Sequence, residues 1–469
     1  MKRNLCVLCL FVCITTNAAV VWDGTSTPWT KGSGTKADPY LIETPANLKY
    51  LANQIDTGNA YADTYFLQTE DLYLYRSTGA YIKIGQFRGR VFSGNYDGGN
   101  HQMLDLRYCP FGYIKSATIQ NITIAGASTV ALIEHASGHT TIINCNNRST
   151  ANVKYAGIVQ TATDYIRIIS CRNFAKITIP LVDDKYETQS DYKRYVAGGI
   201  IAIADSIYVS ISRNRGTIAL DHYPEHSYVP VGGIIGYAYK YALAEKCCNQ
   251  SSISGYRGSA GGIIGGNSVI SYYRNEDFYV NWCYNCGDIG GYGLAAKAKI
   301  TNSYSTGKSG TDECELQENS SVHNCYFTNN GNCVYYCNGR YYQKTTTELK
   351  TQDFLSLLNA DSTYFCKDYT NTNQGYPTFK WVYGKFYNIY ALYKAEQGTV
   401  SGAGEYPQGA QVKLTATPKD NYTFVGWSDG NTNNPRTISV DTLDATYVAQ
   451  FDRLSYTVYV NQDCSITVE

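Results

Sequence analysis

The chain has 469 residues and a formal net charge of zero, because 39 Lys and Arg balance 39 Asp and Glu. It is too long for one ordinary domain, and its charge balance excludes a general polyanion-binding protein, since no positive field attracts nucleic acid or an anionic membrane. The 45 Tyr and 42 Gly residues favour β structure, because Tyr suits pleated surfaces and Gly suits turns.

The first 19 residues have the pattern of a secretory signal peptide. Lys2 and Arg3 precede an apolar run from Leu5 to Ile14, and small residues follow as far as Ala19. The run is shorter than the roughly 20 residues that a membrane span needs, and no later stretch is long and apolar enough. We therefore expect a secreted or cell-surface, outer-membrane-associated protein without a transmembrane helix.

An internal repeat fills the middle of the chain. Gly-Ile blocks occur at 156–158, 198–200, 232–234 and 261–263, and each is followed by a Cys/Ser-x-Asn corner. Four positions align when the corner Asn is counted as zero. The Asn column contains Asn147, Asn173, Asn214, Asn249 and Asn285, and the column at −2 contains Cys145, Cys171, Ser212, Cys247 and Cys283. The column at −5 contains Ile142, Ile168, Val209, Ala244 and Val280, and the column at +4 contains Ala151, Ile177, Ile218, Ile253 and Ile289.

The spacing of the copies, at 26, 41, 35 and 36 residues, is typical of a stacked repeat. The runs are short, broken by Gly and Asn, and lack helical periodicity. We expect an all-β fold, a right-handed parallel β-helix with one coil per copy and ladders of equivalent residues about 4.8 Å apart. The Asn residues should take left-handed corners and bond along their ladder, while the Cys and Ser residues should fill a tight corner as buried, unbridged side chains.

This arrangement resembles the GLUG-motif surface proteins of bacteria over about residues 22–380. The resemblance is carried by the GGI blocks, by corners such as NCNNRS and WCYNCGDI, by FSGNYDGGNH at 92–101, and by a closing N-x-GYP segment. The GGI blocks stand where the family has GLxG. The resemblance implies an exported, non-enzymatic protein that acts in adhesion or recognition.

The residue pattern of the sequence changes after about residue 386. VKLTATP alternates between apolar and polar residues, turn residues and FVGW follow, and a further alternating run comes after NPRT. This segment, about 387–453, resembles the divergent internalin-B-type bacterial repeat, which implies a small β-grasp-like module. A second copy starts near Tyr456 and is incomplete at Glu469.

Two short capping helices are predicted from apolar residues at helical spacing. One covers 44–55 with Leu48, Leu51 and Ile55, and the other covers 348–359 with Phe354, Leu357 and Leu358 on one face. The expected domains are a signal peptide (1–19), an N-terminal cap and first coil (20–90), the β-helix (91–344), a C-terminal cap (345–385), the repeat module (386–453) and the start of an incomplete second repeat (454–469).

Metal chemistry is not favoured by the histidines and cysteines. Two HxxxH pairs, His135 with His139 and His222 with His226, lie in loop or strand sequence without a third ligand nearby. A four-cysteine zinc set would need Cys283, which already belongs to the corner column. We expect no metal and no cofactor. The cysteines outside the column have no assigned pairing, and Cys109 is one of them. The better candidates for disulfides are Cys314, Cys325, Cys333, Cys337 and Cys366.

Two functions from different classes remain after this reasoning. A polysaccharide-active β-helix enzyme, a lyase or glycosidase, would need clustered carboxylates, whereas Asp71, Asp97 and Asp105 lie in separate segments. A non-enzymatic protein would contact an extracellular glycan or a host or bacterial surface protein, with no nucleic acid as partner. Tyrosine pairs could stack on such a ligand or simply cover outward β faces. The candidate contact residues are Tyr272, Tyr273, Tyr335, Tyr336, Tyr341 and Tyr342.

Overall fold

The computed structural model describes residues 20–74, 81–179, 196–220, 229–254, 260–266, 277–295, 298–308, 321–328, 338–455, 458–460 and 466–468. The chain divides into two compact units, Met1–Thr346 and Thr347–Glu469. The predicted signal peptide lies outside the described residues.

The first unit is a parallel β-helix, because its strands pair in parallel with the equivalent segment of the next coil. Ile168 pairs with Val209, Val209 with Ala244, and Ala244 with Val280. The all-β class and the parallel β-helix predicted from the repeat are confirmed. The long sheet contains strands Val20–Val21, Tyr40–Ile42, Tyr65–Gln68, Leu72–Tyr73, Asn95–Asp97, Gln102–Leu104, Phe111–Lys115, Thr118–Gln120, Thr123–Ala125, Ile133–Ser137, Thr141–Ile143, Asn146–Asn147, Val159–Ile169, Arg172–Asn173, Ile201–Ser210, Arg213–Asn214, Ile235–Glu245, Cys248–Asn249, Asp277–Asn281, Tyr284–Asn285, Lys299–Thr301, Tyr304–Ser305, Ser321–Thr328 and Asn338–Lys344.

Two further parallel sheets run along the same coils. The first contains Val153–Lys154, Ile177–Ile179 and Ile218–Leu220, and the second contains Ala197–Gly198, Val231–Gly232 and Ala260–Gly261. Parallel pairing already begins at Val20 and Tyr40, so coils precede the expected start of the β-helix at residue 91.

The aliphatic column at −5 lines the interior. Its members are fully buried, and register extends it to Ile119 and Tyr96 in one direction and to Ile300 in the other. The column at +4 needs one correction. Val153, and not Ala151, pairs with Ile177, because the turn that follows Asn147 is two residues longer than in the later copies.

Helix α1 (Pro45–Asp56) packs onto the first coils. Thr44 and Asn47 form a capping box at its N-terminus, and Pro45 occupies the first turn. Leu48, Leu51 and Ile55 are buried in the same core as the first strands, as their spacing predicted.

The second unit contains a small mixed β module. Its four-stranded sheet has the order Gly404–Pro407, Phe386–Leu392, Ala445–Arg453, Tyr422–Trp427, with the central pair parallel and the outer pairs antiparallel. A second, antiparallel sheet contains Gly398–Ser401, Gln411–Pro418 and Arg436–Ser439, and a separate pair contains Val458–Val460 and Ile466–Val468. Buried Trp427, Leu414 and Phe451 lie in the core of the module.

The segment before the module belongs to the second unit. It contains a 3₁₀ turn at Glu348–Lys350, helix α2 (Gln352–Leu358), the paired strands Phe365–Cys366 and Thr378–Phe379, and a 3₁₀ turn at Lys380–Val382. The α2 helix agrees with the prediction, but Leu357 is 49% exposed while Phe354 and Leu358 are buried, so the apolar face is narrower than expected. Tyr369 packs against the core of the module. The compact units therefore divide at 346/347, whereas the sequence placed the division near 385, and the expected domain limits remain a prediction.

Candidate functional site

The five corner asparagines lie in register along one edge of the β-helix. Asn147 pairs with Asn173, then come Asn214, Asn249 and Asn285, and all five side chains are fully buried. Each amide from Asn173 to Asn249 donates Nδ2–H to the next Oδ1, at 2.8, 2.8 and 2.7 Å. Asn147 differs, because its Nδ2 donates to the Gly157 carbonyl and its Oδ1 accepts from Ser149.

The left-handed residue of each corner is not the asparagine of the ladder. The ladder asparagines lie in strands, and the positive φ falls three residues earlier, where the chain turns. These positions are Asn144, Ser170, Ile211, Lys246 and Trp282, with φ between 49° and 58°. The expectation that the ladder Asn takes the left-handed angle is wrong, because its amide must point inward from an extended segment to reach the next coil.

The glycines of the repeat blocks pack directly against the Asn ladder. A Cβ atom on Gly199 would lie 2.6 Å from Asn214 Cγ, and one on Gly233 would lie 2.7 Å from Asn249 Cβ. The same closeness holds for Gly157 with Asn173 and for Gly262 with Asn285, at 2.6 Å. The Gly-Ile blocks and the corner asparagines therefore pack against each other, and only Gly at these positions leaves room for the buried amides.

The Cys and Ser column lies at the inner side of the corner and accepts backbone hydrogen bonds. Cys145 N–H donates to Cys171 Sγ at 3.4 Å, Cys171 N–H to Ser212 Oγ at 3.1 Å, and Cys247 N–H to Cys283 Sγ at 3.4 Å. The cysteines are free and fully buried. Burial raises the pKa of the Cys145 and Cys283 thiols. At the turn, the backbone N–H groups of Cys145, Cys171 and Cys247 are not paired with strand carbonyls, and the side chains of the column accept their hydrogen bonds.

The cysteines outside the predicted column fall into two groups. Cys325 extends the column, since its neighbour Tyr326 pairs with Tyr304 and its Sγ lies 3.5 Å from the Ile300 carbonyl oxygen. Cys109 and Cys366 are free and buried, and Cys325 is buried, so the candidacy of Cys366 for a disulfide is wrong within the described residues. Cys314, Cys333 and Cys337 lie outside the described residues.

Two of the six tyrosines predicted to contact a ligand, Tyr341 and Tyr342, lie in the described part of the chain. Tyr272, Tyr273, Tyr335 and Tyr336 lie outside the described residues. Tyr341 lies in strand Asn338–Lys344, and Tyr342 is 41% exposed and stacks on Tyr326 with ring centroids 5.4 Å apart.

A different set of tyrosines forms an outward surface, here called the tyrosine face: Tyr165, Tyr208, Tyr241 and Tyr279. Tyr165, Ser206 and Tyr241 occupy paired positions on three successive coils, and such a set is called a row of the sheet. The ring centroids of Tyr165 and Tyr241 are 6.4 Å apart. Tyr208 and Tyr279 share the adjacent row, and Tyr279 lies 5.9 Å from Tyr241. The sequence contained this signal, because the two pairs stand eight and six residues before a corner Asn.

Charged groups border the tyrosine face and fix its hydroxyl groups. Tyr208 donates its O–H to Glu245 Oε2 at 2.8 Å, and burial, with Glu245 as a further cause, raises the pKa of Tyr208. Lys299 Nζ donates to Tyr279 Oη at 3.2 Å and to Asp277 Oδ1 at 3.4 Å. The Arg167 guanidinium lies 5.9 Å from the centre of the Tyr208 ring. The face thus combines partly exposed rings with polar groups of both signs.

The three aspartates considered for catalysis serve separate turns. Asp71 accepts from the Gln102 N–H at 2.8 Å, and Asp105 accepts from the Ala127 N–H. Asp97 accepts from the Gly99 N–H and from the side chains of Gln120 and Asn121.

Asp97 also lines a cavity of about 640 Å³ beside the first coils, together with Lys36, Tyr65 and Gln120. Among the residues that the structure places around this cavity, Asp97 is the single carboxylate, whereas glycoside hydrolysis uses two.

Of the two HxxxH pairs, His135 and His139 lie in the described part of the chain. His135 Nδ1 lies 2.9 Å from Thr161 Oγ1, and burial lowers the pKa of His135. His222 and His226 lie outside the described residues. Within the described ranges, no group of three or more His, Cys, Asp or Glu side chains is placed to hold a metal ion. No helix of that part is long and apolar enough to cross a membrane.

Comparisons with known proteins bear on the two units differently. The family model of the Divergent InlB B-repeat domain matches residues 391–455. A Streptococcus sanguinis protein described as Immunoglobulin A1 protease is 24% identical over 210 residues, which are 42% of this chain and 11% of that protein. A 1.30 Å crystal structure of a Bacteroides ovatus protein, described as a candidate immunoglobulin A1 protease, matches 75% of this chain and 95% of its own, with 14% identity and a TM-score of 0.40.

The strand pairing defines a parallel β-helix, and the family match adds a small bacterial repeat module. Residues 391–455 form a divergent InlB B-repeat domain, which agrees with the resemblance seen in the sequence. The chain spans 11% of the length of the streptococcal relative, so that relative's activity is not transferred. The resemblance of residues 22–380 to GLUG-motif proteins stays a prediction.

Proposed function

We propose that this chain is a non-enzymatic recognition protein on the outside of a bacterial cell, and that its tyrosine face binds an extracellular glycan. The observation that carries the proposal is the set of four partly exposed rings held in two adjacent rows of a rigid sheet. Sugars present apolar C–H faces and hydroxyl groups, which such rings and their bordering Glu245, Asp277 and Lys299 can contact.

The location outside the cell is supported by two findings. The predicted signal peptide has the charges and short apolar run of an export signal. The InlB-type repeat at 391–455 and the streptococcal relative are consistent with an extracellular bacterial protein. We expect the β-helix to act as the recognition scaffold and the repeat as a spacer.

A glycan array probed with the full chain tests the proposal. Tyr279→Ala and Tyr241→Ala should each weaken binding about fivefold, since a ring contact contributes roughly 1 kcal/mol. Tyr279→Phe should retain most of the affinity, because the ring is kept. Tyr390→Ala is the matched control, since Tyr390 is 49% exposed but lies in the other unit.

Four outcomes would count against the proposal. Absence of any glycan hit, or equal losses for Tyr390→Ala, would remove the tyrosine face as the binding site. Release of new reducing or unsaturated sugar ends from a bound polysaccharide would favour the alternative, a lyase or glycosidase. Binding of a host or bacterial surface protein in place of a glycan would change the class of ligand.

A further inference from the structure

Four arginines cluster beside the Asn ladder, where Arg148 and Arg215 are exposed, Arg172 is half-buried and Arg213 is buried. Side chains alternate along a strand, so the residues on either side of a ladder Asn lie on the opposite face of the sheet from its amide. Arg172 and Arg213 precede ladder asparagines and pair with each other in register, which puts their Cα atoms about 4.8 Å apart. Arg148 and Arg215 follow the ladder asparagines of the coils before and after that of Arg172. These four residues, spread over three consecutive coils, are called the arginine face.

Arg213 is largely buried, and part of its guanidinium group lacks a partner in the described residues. It is 7% exposed, and its Nε has no hydrogen-bond partner in the described part of the chain. None of the ion pairs found among the described residues includes Arg148, Arg213 or Arg215. Buried guanidinium groups normally have a carboxylate or a full set of acceptors, because an unpaired buried charge is costly.

The arginines act on one another as like charges. Burial, followed by the charges of Arg213 and Arg148, lowers the pKa of Arg172. Burial and then Arg213 lower the pKa of Arg215. The neighbouring Cys248 does not offset this charge, since burial raises the pKa of its thiol to about 12 and it stays neutral at neutral pH. Within the described residues, four positive charges therefore lie close together in a chain whose net charge is zero.

Aromatic rings accompany the arginines. The Arg148 guanidinium lies 4.7 Å from the centre of the Phe174 ring, which is partly exposed in the row between Arg148 and Arg215. A planar guanidinium held against a ring keeps its edge N–H groups free to donate to an oxyanion.

We propose that the arginine face binds the carboxylate or sulfate groups of an acidic glycan. Arg213 would provide the central charge, with Arg172 and Arg215 on either side, and Phe174 would contact an apolar face of a sugar ring. The proposal concerns a face other than the tyrosine face and does not depend on ligand contact there.

The backbone around the arginines favours a glycan over an acidic peptide. Peptides commonly bind by adding a strand to a free sheet edge. Here the N–H groups of Arg172, Arg213 and Arg215 already donate to the carbonyls of Cys145, Cys171 and Asn173 on the preceding coil. We therefore expect side chains to recognise the ligand, through charge-assisted hydrogen bonds and ring contact.

Calorimetric titration of the full chain at low salt tests this inference. Sulfated dextran and polygalacturonate are the acidic probes, and neutral dextran is the uncharged probe. We expect binding of at least one acidic probe, weaker binding as salt rises, and no binding of neutral dextran. Arg215→Gln, at an exposed position, and Arg213→Gln should each weaken binding about tenfold, since each removes a charge-assisted hydrogen bond. Arg88→Gln, an exposed arginine on an early coil, should have no effect.

Thermal unfolding without ligand distinguishes binding from a structural role. Arg213→Gln should unfold at the same or a higher temperature, because it removes an unpaired buried charge, whereas a structural arginine would destabilise the fold when lost. The inference is overturned if neither acidic probe binds, if Arg88→Gln weakens binding as much as Arg215→Gln, or if Arg213→Gln lowers the unfolding temperature without affecting binding. Polyglutamate binding as tightly as the acidic glycans would overturn the glycan assignment. So would complete displacement by inorganic sulfate at equal anion concentration, which would indicate a site for the ion alone.

Discussion

Asn214 is the residue at which the ladder can be tested most directly. Its side chain is fully buried and makes four hydrogen bonds. Its Nδ2 donates to Asn249 Oδ1 and to the Gly216 carbonyl, and its Oδ1 accepts from Asn173 Nδ2 and from the Gly216 N–H. Asn214→Ala removes all of these in a site too deep for water to replace them easily.

The expected cost follows from what the change leaves behind. Asn173 Nδ2 keeps a bond to the Ala175 carbonyl at 3.0 Å, so that donor is only partly deprived. The Gly216 N–H and the Asn249 Oδ1 each lose a partner. Each of these two orphaned groups costs about 1–3 kcal/mol, so the free energy of unfolding should fall by roughly 2–6 kcal/mol.

Urea unfolding followed by tryptophan fluorescence measures this loss, and hydrogen exchange at the Gly216 amide reports where it acts. Asn146→Ala is the matched control, since Asn146 is partly exposed and its one side-chain bond, to Thr123 Oγ1, is 3.4 Å long. It should cost less than about 1 kcal/mol. A loss below about 1 kcal/mol for Asn214→Ala, with unchanged exchange at Gly216, would refute the view that the amides hold the coils together.

Four further outcomes are expected. Cys171→Ser should lower the free energy of unfolding by about 1 kcal/mol or less, and Cys171→Val by about 1–3 kcal/mol more, because only Val leaves the Cys145 N–H without an acceptor. Equal urea midpoints for the two variants would contradict this expectation. Gly233→Ala should lower the free energy of unfolding by at least about 3 kcal/mol, since its Cβ would lie 2.0 Å from the Gly262 carbonyl oxygen. Gly89 has open space around it, so Gly89→Ala should be tolerated in the same thermal scan. Ile211→Asn should stabilise the chain by about 1 kcal/mol, because Ile211 is β-branched at a φ of 52°, and a lower melting temperature would be evidence against strain there. Burial raises the pKa of Cys248 from 9.0 to about 12, so the thiol ionises in the unfolded chain first and the free energy of unfolding should fall as pH rises from 9 towards 12. The fall should be smaller in Cys248→Ser, and identical pH profiles for the two proteins would exclude this contribution.

Much of the fold could be read from the repeat. A column of Asn and a column of Cys or Ser at a fixed offset require that equivalent residues meet, and only parallel stacking of coils brings them together at every copy. The helix at 45–56 and the repeat module at 391–455 were likewise recognisable from local pattern, because spacing, capping residues and alternation are properties of neighbours in the chain.

The partners of these columns could not be read in the same way. Gly233 and Asn249 are sixteen positions apart, and nothing in a linear pattern says that one must be small because the other is buried against it. The left-handed angle was assigned to the ladder Asn because Asn favours it, yet the turn lies three residues earlier, even where that residue is Ile211 or Trp282. Coil geometry outweighs the local preference at those positions.

The repeat, its parallel stacking and the burial of its corners follow from the amino-acid sequence alone, because each depends on periodic residue types. Which outward side chains share a surface depends on the folded chain. Tyr165 and Tyr241, or Arg172 and Arg213, are dozens of residues apart in the chain, and segments of unequal length separate them. Their proximity arises from the register between coils, which backbone pairing sets and which no single segment contains.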